Sequence, residues 1–333
     1  MRNERRWGRQ LLSLGSVAAA VVVAMLLLSP SKPAPVTTPA TPATTRLSPA
    51  EEYAQAALLL IERHALMVNA GTWDEIEQDT MKAVASSHAS AQTHAAIYSA
   101  LMRAVGPMAQ LIPPSRPSGP GEAPPVTVSA SAGIGRIVVA SAEELDLTAA
   151  SARAAQTTEA IDAVRSKVSC GWVIDLQQMM SPNDWGAVAG LAPFLREGPA
   201  FRLEDRTHQA SQVSVAMGSV FLEGRPVATS PRSVFRNGLP VAVLQSSGTA
   251  ATGEGLVRGL LRAEGVRTFG EPVGSMPITE TFTLSDGTRI VLPVGRVLGD
   301  QGQSPDERLS PMKATDAPDA EAVRWLRSQC RGS

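Results

Sequence analysis

Residues 239–261 read LPVAVLQSSGTAATGEGLVRGLL, and this stretch decides the fold of the 333-residue chain. Its apolar run at 241–244 predicts a short buried strand, and the small residues at 246–253 predict a tight turn. Residues 254–261 have the apolar spacing of an amphipathic helix. A strand, a tight turn and a helix N-terminus direct free backbone N–H groups to one place, so this arrangement predicts an anion or oxyanion site.

The turn at 249–254 and two motifs that precede it resemble one enzyme family. The turn reads TAATGE, where the tail-specific (C-terminal processing) serine peptidases without a PDZ domain read roughly Thr-Ala-Ser-Ser-Gly-Glu. Residues 171–176 (GWVIDL) and 189–195 (AGLAPFL) are similar to a strand and a helix motif of the same family. The resemblance spans residues 51–330 and implies an α/β fold of the ClpP/crotonase-like type.

The resemblance and the composition together divide the chain into four parts. Residues 49–114 resemble the helical cap of these peptidases, and residues 126–330 resemble their core. Before the cap, residues 29–48 form a Pro/Thr-rich linker, and residues 1–28 contain four arginines followed by an uncharged apolar run at 11–28. This run is just long enough to cross a bilayer, which takes about 18 residues or more, so we expect a signal-anchor that leaves most of the chain extracytoplasmic. A cleaved signal peptide is the alternative.

Hydrophobic spacing predicts the secondary structure of the cap and the core. Helices are expected at 49–70, 73–86, 92–105, 148–167, 189–195 and 320–330. Strands are expected at 126–128, 134–140, 171–176 and 290–294, with an antiparallel excursion at 200–235.

The positions that match the family's catalytic groups carry other residues. Ala251 stands at the nucleophile position, and a methyl group cannot attack a carbonyl. Active relatives end the cap in Gly-Asp-x-His-Ser, whereas residues 106–110 read GPMAQ and place Ala109 at the histidine position. Met276 stands where relatives with a serine–lysine dyad carry the lysine, and Pro182, which has no N–H, ends the stretch that replaces the oxyanion glycines. The resemblance therefore implies a preserved scaffold without catalysis.

Three functional hypotheses remain open from the sequence. The first is a pseudo-peptidase that binds a peptide or protein segment by strand addition, with a preference for hydrophobic ends. Its expected groove is lined by Ala250, Ala251, Gly253, Ser181, Gly274 and Met276. The second is an active peptidase that uses Thr252 as nucleophile with an unidentified base. Glu254 is one candidate for this base, although a capping hydroxyl and a dipole-stabilised carboxylate also explain the two residues. The third is a structural domain of the cell envelope.

The remaining reactive side chains do not predict a cofactor or a metal site. Neither the four histidines nor the two cysteines have the spacing of metal ligands, and we expect His88 and His94 to be solvated on polar helix surface. The net charge of −1 gives no reason to expect a nucleic-acid partner. Export would favour a disulfide between Cys170 and Cys330, whereas a cytosolic chain would keep both as buried thiols.

Overall fold

In the computed structural model, the described residues are 47–68, 71–87, 89–114, 126–142, 146–230, 238–298 and 308–330. The predicted anchor (1–28), residues 29–46 of the linker and His88 lie outside them. All of the described residues belong to one compact unit. Within the described part, no helix is long and apolar enough to cross a membrane.

The elements largely follow the predicted periodicity. The helices are α1 (Pro49–His64), α2 (Trp73–Ala85), α3 (Ser90–Ala104), α4 (Leu147–Val164), α5 (Trp185–Gly190), α6 (Thr252–Leu261) and α7 (Pro318–Cys330). The strands are β1 (Gln110–Ile112), β2 (Thr127–Ser131), β3 (Ile134–Val138), β4 (Gly171–Asp175), β5 (Met180–Ser181), β6 (Gly198–Glu204), β7 (Ala210–Ala216), β8 (Ser219–Leu222), β9 (Arg225–Ala228), β10 (Val241–Gln245), β11 (Ala250–Ala251), β12 (Val266–Gly270), β13 (Ile278–Thr283), β14 (Arg289–Leu298) and β15 (Lys313–Ala314).

Two helices differ from their predicted extents by more than three residues. Helix α1 begins with a capping box between Ser48 and Glu51, but it ends at His64 rather than at residue 70 because Ala65 is extended. Helix α5 begins earlier than predicted because the Asp184 carboxylate accepts from an N–H in its first turn, and it ends at Gly190. Pro193 then permits only a short 3-10 turn, so residues 191–195 do not continue the helix.

The central sheet is six-stranded and its side chains alternate between two hydrophobic cores. Its spatial order is β15-β12-β10-β4-β3-β2, and every neighbouring pair is parallel except β2 with β3. On β4, Trp172 and Ile174 pack into the main core with α4, α5 and α6, whereas Val173 points to the other face and packs with Leu326 of α7. This alternation follows from the two-residue period of a strand, and it explains why the whole strand is apolar.

A second, antiparallel sheet joins the helical cap to the core. Strands β6 to β9 form the predicted excursion, and β14 pairs with β6, β13 and β1. The first half of β14 carries Ile290 and Leu292 into the core of α1, α2 and α3, whereas Val297 in its second half lies in the main core. The predicted domain boundary at residue 114 therefore marks where the cap helices end in the sequence. In the structure, β13 and β14 pack with those helices although they follow the boundary by more than 160 residues.

A disulfide between Cys170 and Cys330 joins the end of α7 to the start of β4. Helix α7 buries Ala322 and Leu326 completely against the sheet. The covalent link therefore fixes the last described element of the chain to a central strand. No other cysteine occurs in the chain, so the pair leaves no free thiol.

Candidate functional site

The turn after β10 is held by its own hydroxyl groups. The Thr249 hydroxyl donates to the Leu176 carbonyl at 2.7 Å, and the Ser246 hydroxyl donates to the Gln177 carbonyl at 2.7 Å. Gly248 lies so close to the Gln177 carbonyl that a Cβ at this position would collide with it. These contacts explain why the turn is built from small and hydroxyl-bearing residues, and they fix the start of α6.

Ala251 keeps the backbone of a reactive position but carries only a methyl group. Its φ of 55° and ψ of −118° are unusual for a residue with a side chain, and it lies at the N-cap of α6 with no exposed surface. Backbone strain at a strand-to-helix turn is a common feature of hydrolase nucleophiles. The position that the sequence resemblance assigns to the nucleophile thus has an unusual backbone conformation and carries a methyl side chain.

Thr252 does not have a free hydroxyl. Its Oγ1 donates to the Ser181 carbonyl at 2.6 Å and accepts from the Asp184 N–H at 3.2 Å. The residue is fully buried. Among the described residues, no histidine, lysine or carboxylate contacts this hydroxyl, and both of its hydrogen bonds are made to the backbone.

Glu254 is paired with Arg258 on the same helix. The Arg258 guanidinium donates to Glu254 Oε1 from Nη2 at 2.7 Å and from Nε at 3.0 Å, and both side chains are nearly buried. Burial raises the pKa of Glu254, and the positive charge of Arg258 opposes this rise. The carboxylate is therefore committed to Arg258 and does not contact Thr252.

The expected groove beside Ala251 is mostly closed. Ala250, Ala251 and Ser181 are buried, and Gly253 packs against the Met179 carbonyl. Gly274 donates its N–H to the Thr249 carbonyl at 2.9 Å and is half-buried. Of the six predicted groove residues, Met276 lines a described pocket, and Ala251 is not part of the wall of that pocket.

This methionine pocket has a volume of about 160 Å³ and lies between the cap and the core. Its wall includes Met67, Val105, Met108, Glu254, Met276 and Arg296. Met108 adjoins Ala109, which is itself buried in the core of the cap. The structure thus brings the neighbourhood of the family's histidine position together with its lysine position and the helix glutamate.

The stretch at the family's oxyanion position offers few backbone donors. The Met180 N–H donates to the Ser141 hydroxyl at 2.9 Å, and Pro182 has no N–H. Met180 and Ser181 form β5, which pairs in parallel with β11. Met180 lies opposite Ala250, and Ser181 lies opposite Ala251. The segment therefore supports the turn through backbone pairing.

Two clusters of charged or polar side chains were not predicted. Arg153 and Asp184 form a buried ion pair at 3.1 Å beneath the site, in which burial raises the pKa of Asp184 and Arg153 opposes the rise. Only the capping position of Asp184 gives a local signal for this pair.

His94, expected to be solvated, instead contacts Tyr53 and Asp286, which lies 192 residues further along the chain. In the described part of the chain, no group of three potential ligands could hold a metal ion.

Solved structures of other proteins show the same fold. A lipoprotein from Streptococcus agalactiae aligns with a TM-score of 0.68 and 21% identity over 85% of this chain and 98% of its own. The photosystem II D1 C-terminal processing protease aligns with a TM-score of 0.56 and 14% identity over 86% of this chain and 97% of its own. At these identities the two likenesses establish the mixed α/β fold alone.

Sequence comparison identifies the family. No protein with a curated description matches the chain. The family model of peptidase family S41 matches residues 133–311, which is more than half of the chain and includes the turn, β4 and α6. The chain therefore belongs to peptidase family S41, which confirms its resemblance to the tail-specific peptidases.

Proposed function

We propose that this member of peptidase family S41 binds peptide segments without cutting them. The observation that carries the proposal is Ala251, which has the strained backbone of a nucleophile position and a side chain that cannot react. Thr252 offers no replacement because both of its hydrogen-bonding roles go to the backbone. The absence of a histidine at Ala109 and of a lysine at Met276 removes both of the bases that the family resemblance implies.

The methionine pocket is the contact point that fits this function best. Its volume of about 160 Å³ is below the roughly 300–1,000 Å³ of small-molecule sites, so it suits a single side chain of a peptide. Methionines adapt their shape to different apolar partners, and Met67 and Met108 are 54% and 40% exposed at its mouth. We therefore expect peptides with an apolar anchor residue, in agreement with the hydrophobic preference inferred from the sequence.

The proposal places this site outside the cytoplasm. The apolar run at 11–28 behind four arginines favours a membrane anchor whose downstream chain is exported, and the linker at 29–48 would hold the folded unit away from the surface. The Cys170–Cys330 disulfide supports this location, because disulfides persist in oxidising compartments. Both native cysteines lie in the disulfide, so the test is thiol labelling in intact cells of a full-length Met217→Cys variant, whose added cysteine replaces a side chain that is 79% exposed. Labelling from the cytoplasmic side alone would contradict this location.

Catalytic inactivity is tested on the full-length chain with unfolded casein and a fluorophosphonate probe. We expect neither hydrolysis nor labelling, and we expect the Ala251→Ser variant to remain silent because no base accompanies the new hydroxyl. Hydrolysis by the parent chain that disappears in Thr252→Ala would overturn the proposal in favour of a threonine-type peptidase.

Peptide binding is tested by fluorescence anisotropy with labelled peptides that end in leucine or in aspartate. We expect the leucine peptides to bind and Met276→Trp, which fills the methionine pocket, to weaken binding at least tenfold. Met217→Trp is the matched control, because Met217 is 79% exposed on the turn between β7 and β8 and is not part of the pocket wall. Equal binding by parent and Met276→Trp would exclude the pocket, and no binding of any peptide would favour a purely structural domain.

A further inference from the structure

A second cavity lies within the helical cap, apart from the methionine pocket. This cap cavity has a volume of about 520 Å³, within the usual range of small-molecule sites. Tyr53, His94 and Asp286 form one end of this cavity. The rest of the wall combines small apolar residues with hydroxyl-bearing ones, namely Pro49, Ala50, Val84, Ala85 and Ala89 with Ser48, Ser87, Ser90 and Thr93. An apolar cavity with a few convergent polar groups is the usual architecture of a ligand site.

The polar end is an ordered network around the Asp286 carboxylate. Oδ1 accepts from the Tyr53 hydroxyl and from the Thr288 N–H, each at 2.9 Å. Oδ2 accepts from the Thr288 hydroxyl at 2.9 Å and lies 2.9 Å from His94 Nε2. Burial alone would raise the pKa of Asp286, but these hydrogen bonds outweigh it and lower the pKa to about 2. The carboxylate is therefore ionised at any physiological pH.

This arrangement assigns the protons of the network. Because Nε2 of His94 lies 2.9 Å from an ionised carboxylate, Nε2 donates to Asp286 Oδ2. The Tyr53 hydroxyl donates to Asp286, so its oxygen keeps acceptor capacity. The polar end thus combines the negative charge of Asp286 with the Tyr53 hydroxyl oxygen, which the carboxylate orients.

We propose that the cap cavity binds a small molecule that carries an amine on an apolar body. Among the described residues of the wall, Asp286 alone carries a fixed charge, so an ammonium group is attracted and a carboxylate is repelled. The Tyr53 ring adds an aromatic face for a cation, and the apolar wall accommodates the remainder of the molecule. This site uses none of the residues of the methionine pocket, so it is independent of the proposed peptide binding.

Calorimetric titration of the full-length chain tests the site with benzylamine and cyclohexylamine as probes. Benzoate and cyclohexanecarboxylate are the matched anions. We expect saturable binding of the amines, at least about tenfold tighter than binding of the anions, and a loss of about tenfold in Asp286→Asn. Absence of saturable amine binding, or equal binding of amine and anion, would overturn the proposal.

Two further variants separate a lost site from a lost fold. Ala85 is exposed at the cavity mouth, so Ala85→Trp should block the amines while the unfolding temperature changes little. Ala83→Trp, on an exposed position of the same helix outside the cavity wall, is its control and should bind normally. Tyr53→Phe should weaken amine binding, whereas Tyr98→Phe, on a half-exposed tyrosine of the same cap, should not. Normal binding by Ala85→Trp would place the amines elsewhere.

Discussion

Ala251 is held in a backbone conformation that glycine adopts more readily. The free-energy cost of this conformation can be measured. Such strain costs about 1–3 kcal/mol in a residue with a side chain. Ala250, also buried in β11, does not have a positive φ. We expect Ala250→Gly to lower the free energy of unfolding by about 1–2 kcal/mol, through the lost methyl group and the added chain entropy. Ala251→Gly should be less destabilising by about 1–3 kcal/mol, because it also relieves the strain.

Urea unfolding of both glycine variants provides this comparison. Equal losses would show that the backbone of Ala251 is not strained in solution.

Thr252 supports the turn through its buried hydroxyl. Removing it in Thr252→Ala leaves the Ser181 carbonyl and the Asp184 N–H without this partner, at a cost of about 1–3 kcal/mol in unfolding free energy. Thr252→Ser keeps the hydroxyl and should lose only about 1 kcal/mol for the methyl group. Thermal unfolding monitored by circular dichroism measures both. If the alanine variant were as stable as the serine variant, these hydrogen bonds would not contribute.

The Arg153–Asp184 pair should make stability depend on pH when it is broken. Arg153→Met leaves a buried carboxylate without its cation, and we expect a loss of about 3–5 kcal/mol at pH 7.5. The folded-state pKa of Asp184 is already raised and rises further without Arg153, so protonation at lower pH relieves the unpaired charge. The loss should therefore be smaller at pH 5.

Arg165→Met is the control for this prediction. Arg165 is half-exposed in its pair with Asp162, so its replacement should cost less than about 0.5 kcal/mol at either pH. A loss in Arg153→Met that did not change between pH 5 and 7.5 would show that Asp184 does not take up the proton.

At the scale of elements, the disulfide stabilises the attachment of α7. It links residues 160 positions apart, so its removal should cost about 2–5 kcal/mol by releasing a long loop in the unfolded chain. We expect the double variant Cys170→Ser/Cys330→Ser to unfold at lower urea concentration than the parent. Dithiothreitol should lower the midpoint of the parent and leave the double variant unchanged. A parent insensitive to full reduction would contradict this role.

Elements whose signals are local were predictable from the sequence. The apolar runs of β4 and β10 and the periodicity of α2, α3 and α7 gave their positions to within a few residues. β13 was not predicted, and the contact of β14 with the cap was missed because it joins segments far apart in the chain. The same reason explains His94, whose partner Asp286 is 192 residues away, and the closure of the groove, which depends on how Gly253 and Gly274 pack.

For the whole molecule, the network at Asp286 connects the cap to the turn between β13 and β14. The folded-state pKa of Asp286 is depressed to about 2, below the ordinary value of 3.8, so its contribution to stability is present above pH 4 and is lost as the pH falls toward 2. We expect Asp286→Asn to be less stable than the parent at pH 6, and the difference to shrink by pH 3. Urea unfolding at the two pH values measures it.

The control for the acid titration is Asp316→Asn, at an exposed position outside this network. Its difference from the parent should stay near zero at both pH values. If the deficit of Asp286→Asn were as large at pH 3 as at pH 6, the carboxylate charge would not be what stabilises the contact.

Strand β14 limits how this protein can be recombined with its relatives. It is ten residues long, its first half completes the core of the cap, and its second half completes the main core. The Leu66 N–H also donates to the Pro293 carbonyl at 2.6 Å. A chimera that exchanges residues 49–114 alone would place foreign helices on a native strand and leave mismatched side chains between them. A viable graft must therefore carry residues 278–298 with the helices, because the complete cap is encoded by two separate segments of the sequence.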